Sequence, residues 1–195
     1  MSVTSPIDEG SSTTLTADVS DPGSDDATLD YVIDWGDGST TTGTVSAGGT
    51  INEDHTYDDN GDYTVTLTIT DSDGASDTDS DTVHVDNVAP TVTAPADVSG
   101  DEGSPVTIGP TTFTDPGADT FTAVIDWGDG SSDNLGAVTS PIPSQTHTYA
   151  EDGVYTITIT VTDDDGGIGQ DTLTATIDNV PPSIDSMNVM DLSLI

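Results

Sequence analysis

Apolar and polar residues alternate along most of this chain. From Tyr63 to Ile69 every second residue is apolar and threonine fills the positions between, and the same pattern runs from Tyr155 to Val161. A period of two is typical of a β-strand with one buried and one solvated face. Clusters of Gly, Asp, Asn and Pro interrupt such runs about every ten residues. The pattern predicts an all-β protein of antiparallel strands.

The chain also repeats itself. The run Ile33–Ser39 returns unchanged 92 residues later as Ile125–Ser131, and His55–Tyr57 returns as His147–Tyr149 at the same offset. Internal similarity of this kind is the signature of tandem modules. The chain therefore contains two copies of one small β-domain.

The repeat sets the expected domain boundaries. We predict one β-sandwich at 1–88, whose first strand is missing or truncated because Met1 aligns near Ala94, and a second at 89–180. The remaining residues, 181–195, are interpreted either as the start of a further repeat or as a strand donated to a neighbouring copy. Both alternatives lead to an extended assembly of modules.

These motifs carry a family resemblance. The Asp-Trp-Gly-Asp-Gly-Ser turn, the His-Thr-Tyr strand and the following Gly-x-Tyr strand resemble the PKD repeat, an immunoglobulin-like β-sandwich found in tandem in extracellular proteins. The resemblance implies two tandem immunoglobulin-like, PKD-type antiparallel β-sandwiches in an extended arrangement. It also implies that Trp35 and Trp127 lie in the core on strand C, and that Tyr63 and Tyr155 form the tyrosine corner. Many PKD repeats carry the large aromatic residue two places earlier, which is the same face of a strand.

The large negative charge of the chain excludes several classes of binding partner. The chain has 37 acidic residues with no Lys or Arg, a formal charge of −37, and no Cys. Nothing in it can neutralise a phosphate, so nucleic acid and anionic lipid are excluded as electrostatic partners. Thiolate chemistry is excluded as well, and no apolar run reaches the roughly 20 residues of a membrane helix. Metal cations are the favoured partners, and no membrane insertion is expected.

The acidic residues fall in the predicted loops. Alternating strands bring the loops of each sandwich to two poles, and one pole of each copy is expected at the junction between the copies. A cluster of carboxylates there requires a counter-ion, and Ca²⁺ suits oxygen ligands in loose geometry. The predicted ligands are Glu9, Asp86, Asn87, Asp115, Asp119, Asp163 and Asp165.

Equivalent sets occur at the two outer poles. They are Asp21, Asp25, Asp71 and Asp73 at the amino-terminal pole, and Glu102, Asp178 and Asn179 at the carboxy-terminal pole. Each would need a neighbouring module or another copy of the chain to complete a site, an arrangement similar to cadherin linkers. The alternative interpretation is a diffuse acidic surface of the kind found in halophiles, without specific calcium.

The sequence predicts no enzyme. His55 and His147 occupy one duplicated strand position, which favours a structural hydrogen bond, and no nucleophile has a base beside it. We expect a non-catalytic extracellular or cell-surface structural protein: a stalk, an adhesin spacer or a filament subunit, stiffened by calcium. The alternative is an accessory module of a secreted hydrolase that binds a polysaccharide or protein polymer, for which exposed aromatic residues, Tyr31 and Phe121 first, would be the sign.

Overall fold

A computed structural model describes residues 1–22, 27–184 and 186. Across these ranges the regular structure consists of β-strands. The strands of the first repeat are β1 (Ser2–Val3), β2 (Ile7–Asp8), β3 (Ser12–Asp18), β4 (Thr28–Asp34), β5 (Thr40–Ser46), β6 (Thr50–Thr56), β7 (Gly61–Thr70) and β8 (Ser76–Asp86). Those of the second are β9 (Thr91–Thr93), β10 (Val98–Asp101), β11 (Pro105–Ile108), β12 (Thr112–Thr114), β13 (Phe121–Asp126), β14 (Ser132–Val138), β15 (Gln145–Thr148), β16 (Gly153–Thr162) and β17 (Ile168–Asp178).

The strands form the sheets of immunoglobulin-like sandwiches. In the first repeat a three-stranded sheet has the order β1-β3-β6 and a five-stranded sheet the order β2-β8-β7-β4-β5. The second repeat has a five-stranded sheet of order β10-β17-β16-β13-β14 and the pairs β11-β15 and β9-β12. The prediction of an all-β, tandem sandwich fold is confirmed. One pair in each repeat is parallel, β2 with β8 and β10 with β17.

Compact units do not follow the sequence repeats. The first unit contains Met1–Thr91 together with Phe113–Thr122 and Val161–Gly169, which are two loops of the second repeat with the strand ends that flank them. The second unit contains Val92–Thr112, Ala123–Thr160 and the residues from Gln170 onward. The first unit therefore includes acidic loops from both repeats.

Each repeat has a core built from the apolar face of its strands. Trp35 and Trp127 are almost completely buried, as predicted, and each is the first residue after its strand, β4 or β13. Tyr57 and Tyr149 are equally inaccessible, at 0% exposure. The sequence did not single out these two tyrosines.

The predicted tyrosine corner lies at the edge of the core. The hydroxyl of Tyr63 donates to the carbonyl oxygen of Asp59 at 2.9 Å, and that of Tyr155 to Glu151 at 3.0 Å. Tyr63 is only partly buried, since its hydroxyl must reach this surface carbonyl. Its ring stacks on Tyr57, whose own hydroxyl donates to the Trp35 carbonyl in the buried interior. The corner thus ties the loop before β7 to the tryptophan.

The repeated Asp-Gly-Ser turn and the repeated histidine form one structural unit. His55 Nε2 lies 2.7 Å from Asp37 Oδ2, and the imidazole stacks on the Trp35 ring with centroids 4.7 Å apart. Asp37 Oδ1 also accepts the hydroxyl and backbone N–H of Ser39. The second repeat has the same contacts at Asp129, Ser131 and His147. The predicted structural role of the histidines agrees with this geometry.

The Asp-Gly-Ser turn is expected to make the stability of the fold depend on pH in the acidic range. Burial by itself raises a carboxyl pKa, but at Asp129 the hydrogen bonds from Ser131 and the His147 contact outweigh it and lower the pKa to about 2, against an ordinary value of 3.8. A lowered folded-state pKa gives stability that is present above the unfolded value and is lost as pH falls through the folded value. Because Asp129 is exposed to solvent, which screens these interactions, we expect it to contribute about 1 kcal/mol at neutral pH, lost between about pH 4 and pH 2.

Urea unfolding at a series of pH values measures this contribution. The control is Asp129→Asn, which keeps the size of the side chain and removes the titration. The difference in unfolding free energy between the wild type and the variant should shrink as the pH falls towards 2. A difference that stays constant over this range would contradict the assignment.

Candidate metal centre

Glu9 is the most buried member of a cluster of acidic residues in the first unit. It follows β2, and its backbone N–H donates to the carbonyl oxygen of Asp86 at 3.0 Å. Its Oε1 accepts the N–H of Val88 at 2.8 Å. The residue is only 1% exposed, and its other oxygen, Oε2, is buried without a hydrogen-bond partner. A buried carboxylate oxygen in this state is unfavourable unless a cation or a proton satisfies it.

The loop 113–122 brings two more carboxylates to Glu9. Asp115 Oδ1 accepts the N–H of Gly117 at 2.8 Å, a local turn that leaves Oδ2 buried and without a partner. Both oxygens of Asp119 are buried and have no partner. The backbone of Ala118 donates to the Asp58 carbonyl at 2.7 Å, which fixes the loop in place.

The loop 161–169 contributes a further buried carboxylate, that of Asp163, to the cluster around Glu9. Asp163 is 5% exposed, and its Oδ1 accepts the N–H groups of Asp165 and Gly167. Its Oδ2 accepts the side-chain amide of Asn87 at 3.2 Å. The oxygen of the same amide, Asn87 Oδ1, is buried and has no hydrogen-bond partner.

Together these residues form a pocket of oxygen atoms. Oxygens of Glu9, Asp115 and Asp119 all lie within 4.8 Å of one another, and so do oxygens of Asp59, Asp119 and Asp165. A glycine lies against the first group, since a Cβ at position 117 would stand 2.7 Å from Glu9 Oε2. The buried side-chain oxygens that have no hydrogen-bond partner, among the described residues, are Glu9 Oε2, Asn87 Oδ1, Asp115 Oδ2, Asp119 Oδ1 and Asp119 Oδ2.

The electrostatics disfavour full ionisation of this pocket. Burial, followed by the charges of Glu9 and Asp115, raises the pKa of Asp119 to about 7. Burial is also the main reason that the pKa of Glu9 is raised, although the Val88 hydrogen bond opposes it. The chain has no Lys or Arg to offer as a counter-charge. Chemically, the arrangement is an all-oxygen, anionic site suited to a hard cation.

Six of the seven residues predicted for the junction lie in or beside this pocket. Asp86 is the exception, because its half-exposed carboxylate points to His84, with Oδ1 3.2 Å from Nε2. Its backbone carbonyl oxygen accepts the N–H of Glu9. Asp59 was not among the predicted ligands, yet it lies in the second oxygen group. An acidic residue at the same place in both copies, Asp59 and Glu151, was the available signal.

The amino-terminal set is less complete. Asp71 Oδ1 accepts the N–H groups of Asp73 and Ala75, the same loop form as at Asp163. Among the described residues, Asp21, Asp71 and Asp73 form no three-membered group of metal-ligating side chains. Asp25 lies outside the described residues.

The carboxy-terminal set reproduces part of the centre. Glu102 Oε1 accepts the N–H of Val180 at 2.8 Å, as Glu9 does from Val88. Glu102 groups with Glu151 and Asp152, which are both exposed, rather than with the predicted Asp178. Asp178 instead offers its carbonyl oxygen to the Glu102 N–H, as Asp86 does to Glu9. Glu102 therefore makes the same backbone contacts as Glu9, but the other acidic residues grouped with it are exposed.

The fold and this repeated architecture define an immunoglobulin-like β-sandwich protein of tandem modules. Its two repeats, residues 2–85 and 87–177, each match the family model described as PKD domain, so the chain belongs to the PKD domain family. No curated protein matches the sequence. In the described residues, no helix is long and apolar enough to cross a membrane.

Solved structures with a similar fold include single and tandem modules. The PKD domain of a peptidase from a Thermoplasmatales archaeon is 28% identical over 46% of this chain and 92% of its own, with a TM-score of 0.39. A tetra-tandem repeat from the extending region of a large adhesion protein is 19% identical, covering 87% of this chain and 46% of its own, with a TM-score of 0.48. Invasin, a bacterial integrin-binding protein, is 16% identical, covering 93% and 40%, with a TM-score of 0.48.

Proposed function

We propose that this tandem PKD protein is a non-catalytic, extracellular structural repeat, such as a stalk, an adhesin spacer or a filament subunit. We further propose that Ca²⁺ stabilises it at the Glu9 centre, the oxygen-lined pocket formed by Glu9, Asp59, Asn87, Asp115, Asp119, Asp163 and Asp165. The observation that carries the proposal is the set of buried oxygens without hydrogen-bond partners, converging from three separate segments. A bound cation would satisfy them together. Its neighbours would be further modules of the same kind or copies of the chain.

Calcium fits the donor set better than other common metals do. Every candidate ligand atom is a carboxylate or amide oxygen, and zinc and copper prefer nitrogen or sulfur donors. Magnesium requires near-octahedral geometry and usually retains several waters, whereas calcium accepts six to eight oxygens in flexible geometry. The proposed ligands are Glu9, Asn87, Asp115 and Asp119, with Asp163 positioning the Asn87 amide.

The cation would act as a structural tie. Residues 9 and 87 flank the parallel β2–β8 pair, and the loops 113–122 and 161–169 belong to the same compact unit. One ion coordinated by residues 9 and 87 and by the loop 113–122, with the loop 161–169 held through the Asp163–Asn87 hydrogen bond, would fix segments that otherwise repel one another. A ligand that binds only the folded state stabilises it by mass action.

Two alternatives receive less support. A purely halophilic surface would keep its carboxylates in water, whereas Glu9 is 1% exposed. An accessory polymer-binding module would present aromatic side chains, yet Tyr31 is buried and Phe121 is half-buried against Phe113. Strand donation by 181–195 falls mostly on residues outside those described.

Thermal unfolding tests the proposal. With Ca²⁺ in excess over its dissociation constant, the melting temperature should rise by roughly 5–10 °C relative to chelator at equal ionic strength. Glu9→Gln should abolish most of this rise because it removes the buried charge. The matched control is Glu102→Gln, which alters the equivalent hydrogen bond to Val180 and should leave the rise intact. Equal melting in calcium and in sodium would refute specific binding.

A further inference from the structure

We propose that the Glu9 centre holds two cations, with the carboxylate of Asp119 bridging them. This inference rests on the proposed function and deepens it, since it specifies how many ions the site takes and in what order. It follows from the way in which the oxygen groups overlap.

The two oxygen groups share one residue. Asp119 belongs to the group with Glu9 and Asp115 and also to the group with Asp59 and Asp165, each within 4.8 Å. Both Asp119 oxygens are buried and neither accepts a hydrogen bond, so both are free to act as ligands. A carboxylate placed in this way can bridge two ions.

The two positions differ in their surroundings. The inner one has the buried Glu9 Oε2 and Asp115 Oδ2, both without hydrogen-bond partners. The outer one has Asp59 and Asp165, which are exposed, so water would complete its coordination. We therefore assign the tighter binding to the inner position.

The charge of the cluster favours two ions over one. One divalent cation leaves a net charge of −4 on the six carboxylates of the cluster, and two leave −2. Because like charges held a few ångström apart near a protein surface repel one another strongly, the residual −4 would be costly in a chain without basic side chains. The six carboxylates are Glu9, Asp59, Asp115, Asp119, Asp163 and Asp165.

The shared ligand also sets an order of binding. The inner ion fixes Asp119 in place, which presents its second oxygen to the outer position. Loss of the outer ligands should therefore leave the inner ion bound, whereas loss of Asp119 should weaken both.

Equilibrium dialysis and calorimetric titration of the full chain with Ca²⁺ alone, in a constant background of sodium chloride, test the proposal. The wild type should bind two ions. The double variant D59N/D165N, changed only at exposed positions, should bind one ion with the tighter affinity retained, and Asp119→Asn should bind both ions more weakly. Glu151→Gln, at the position equivalent to Asp59, is the matched control and should still bind two ions at this centre.

The outcomes separate this inference from the proposed function. One ion in the wild type, unchanged in D59N/D165N, would mean that Asp119 chelates a single cation through both oxygens; the two-ion proposal would then be wrong and the calcium site would stand. No saturable binding would overturn both. Circular dichroism of each variant checks that it is folded, and D59N/D165N keeps the test valid even if Asp119→Asn fails to fold.

Discussion

Trp35→Ala is expected to destabilise the protein by about 3–5 kcal/mol, the range for removing a fully buried large aromatic side chain. Trp35 is 0% exposed and its indole stacks on His55. The indole N–H donates to Thr41 at 2.9 Å. The substitution therefore removes apolar packing, one aromatic contact and one hydrogen bond together, and it leaves a cavity in the core of the first repeat.

Denaturant unfolding followed by circular dichroism measures this loss. The control is Val32→Ala on the outer face of β4, where the side chain is 45% exposed and the change should stay within about 0.5 kcal/mol. Trp127→Ala should have a similar effect in the second repeat, where the indole stacks on His147 and its N–H donates to Asp133 at 3.0 Å. A loss below about 1 kcal/mol at Trp35 would show that the ring does not organise this core.

Gly36→Ala should be the second most damaging substitution. Gly36 has a φ of +85°, and a Cβ there would stand 2.6 Å from the Thr64 carbonyl oxygen and 3.0 Å from its nitrogen. Those atoms are backbone in the central strand β7 and cannot move aside cheaply. We expect a loss of at least about 3 kcal/mol, from the left-handed conformation and the clash together.

A neighbouring glycine separates the two contributions. Gly38 lies in the same turn with a φ of +93°, but a Cβ added to it would have no atom within 4 Å. Gly38→Ala therefore carries only the conformational cost of about 1–2 kcal/mol. Equal losses for the two variants, measured by urea unfolding, would contradict the close approach of Gly36 to β7.

The fold was accessible from the sequence because each level of pattern agreed with the others. The alternation from Tyr63 to Ile69 predicts a half-buried strand, and β7 has its apolar side chains inward. The repeat supplied the domain count, and the Asp-Gly-Ser turn supplied the family. Tyr57 was missed because a tyrosine flanked by Thr56 and Asp58 does not look like a core residue. Its burial depends on the hydroxyl finding the Trp35 carbonyl, a partner distant in sequence.

The candidate site was predicted less completely, for a reason of geometry. Loop position tells which acidic residues are near a pole, and this was sufficient for Glu9 and Asp119. It does not tell which way a side chain points. Asp86 and Asn87 are adjacent, yet Asp86 turns to His84 and Asn87 to Asp163. Asp59 was passed over for the same reason, since its neighbours Asp58 and Asp62 were equally acidic.

The parallel strand pairs have a mechanical consequence. In the first repeat β2 lies beside β8, near opposite ends of the module's sequence, with Ile7 opposite Val85. In the second, β10 lies beside β17 over four residue pairs, from Val98 opposite Ala175 to Asp101 opposite Asp178. Tension applied to the two ends of a module would load such a pair in shear, so its hydrogen bonds must fail together rather than peel one at a time. The longer pair should make the second repeat the last to rupture under load.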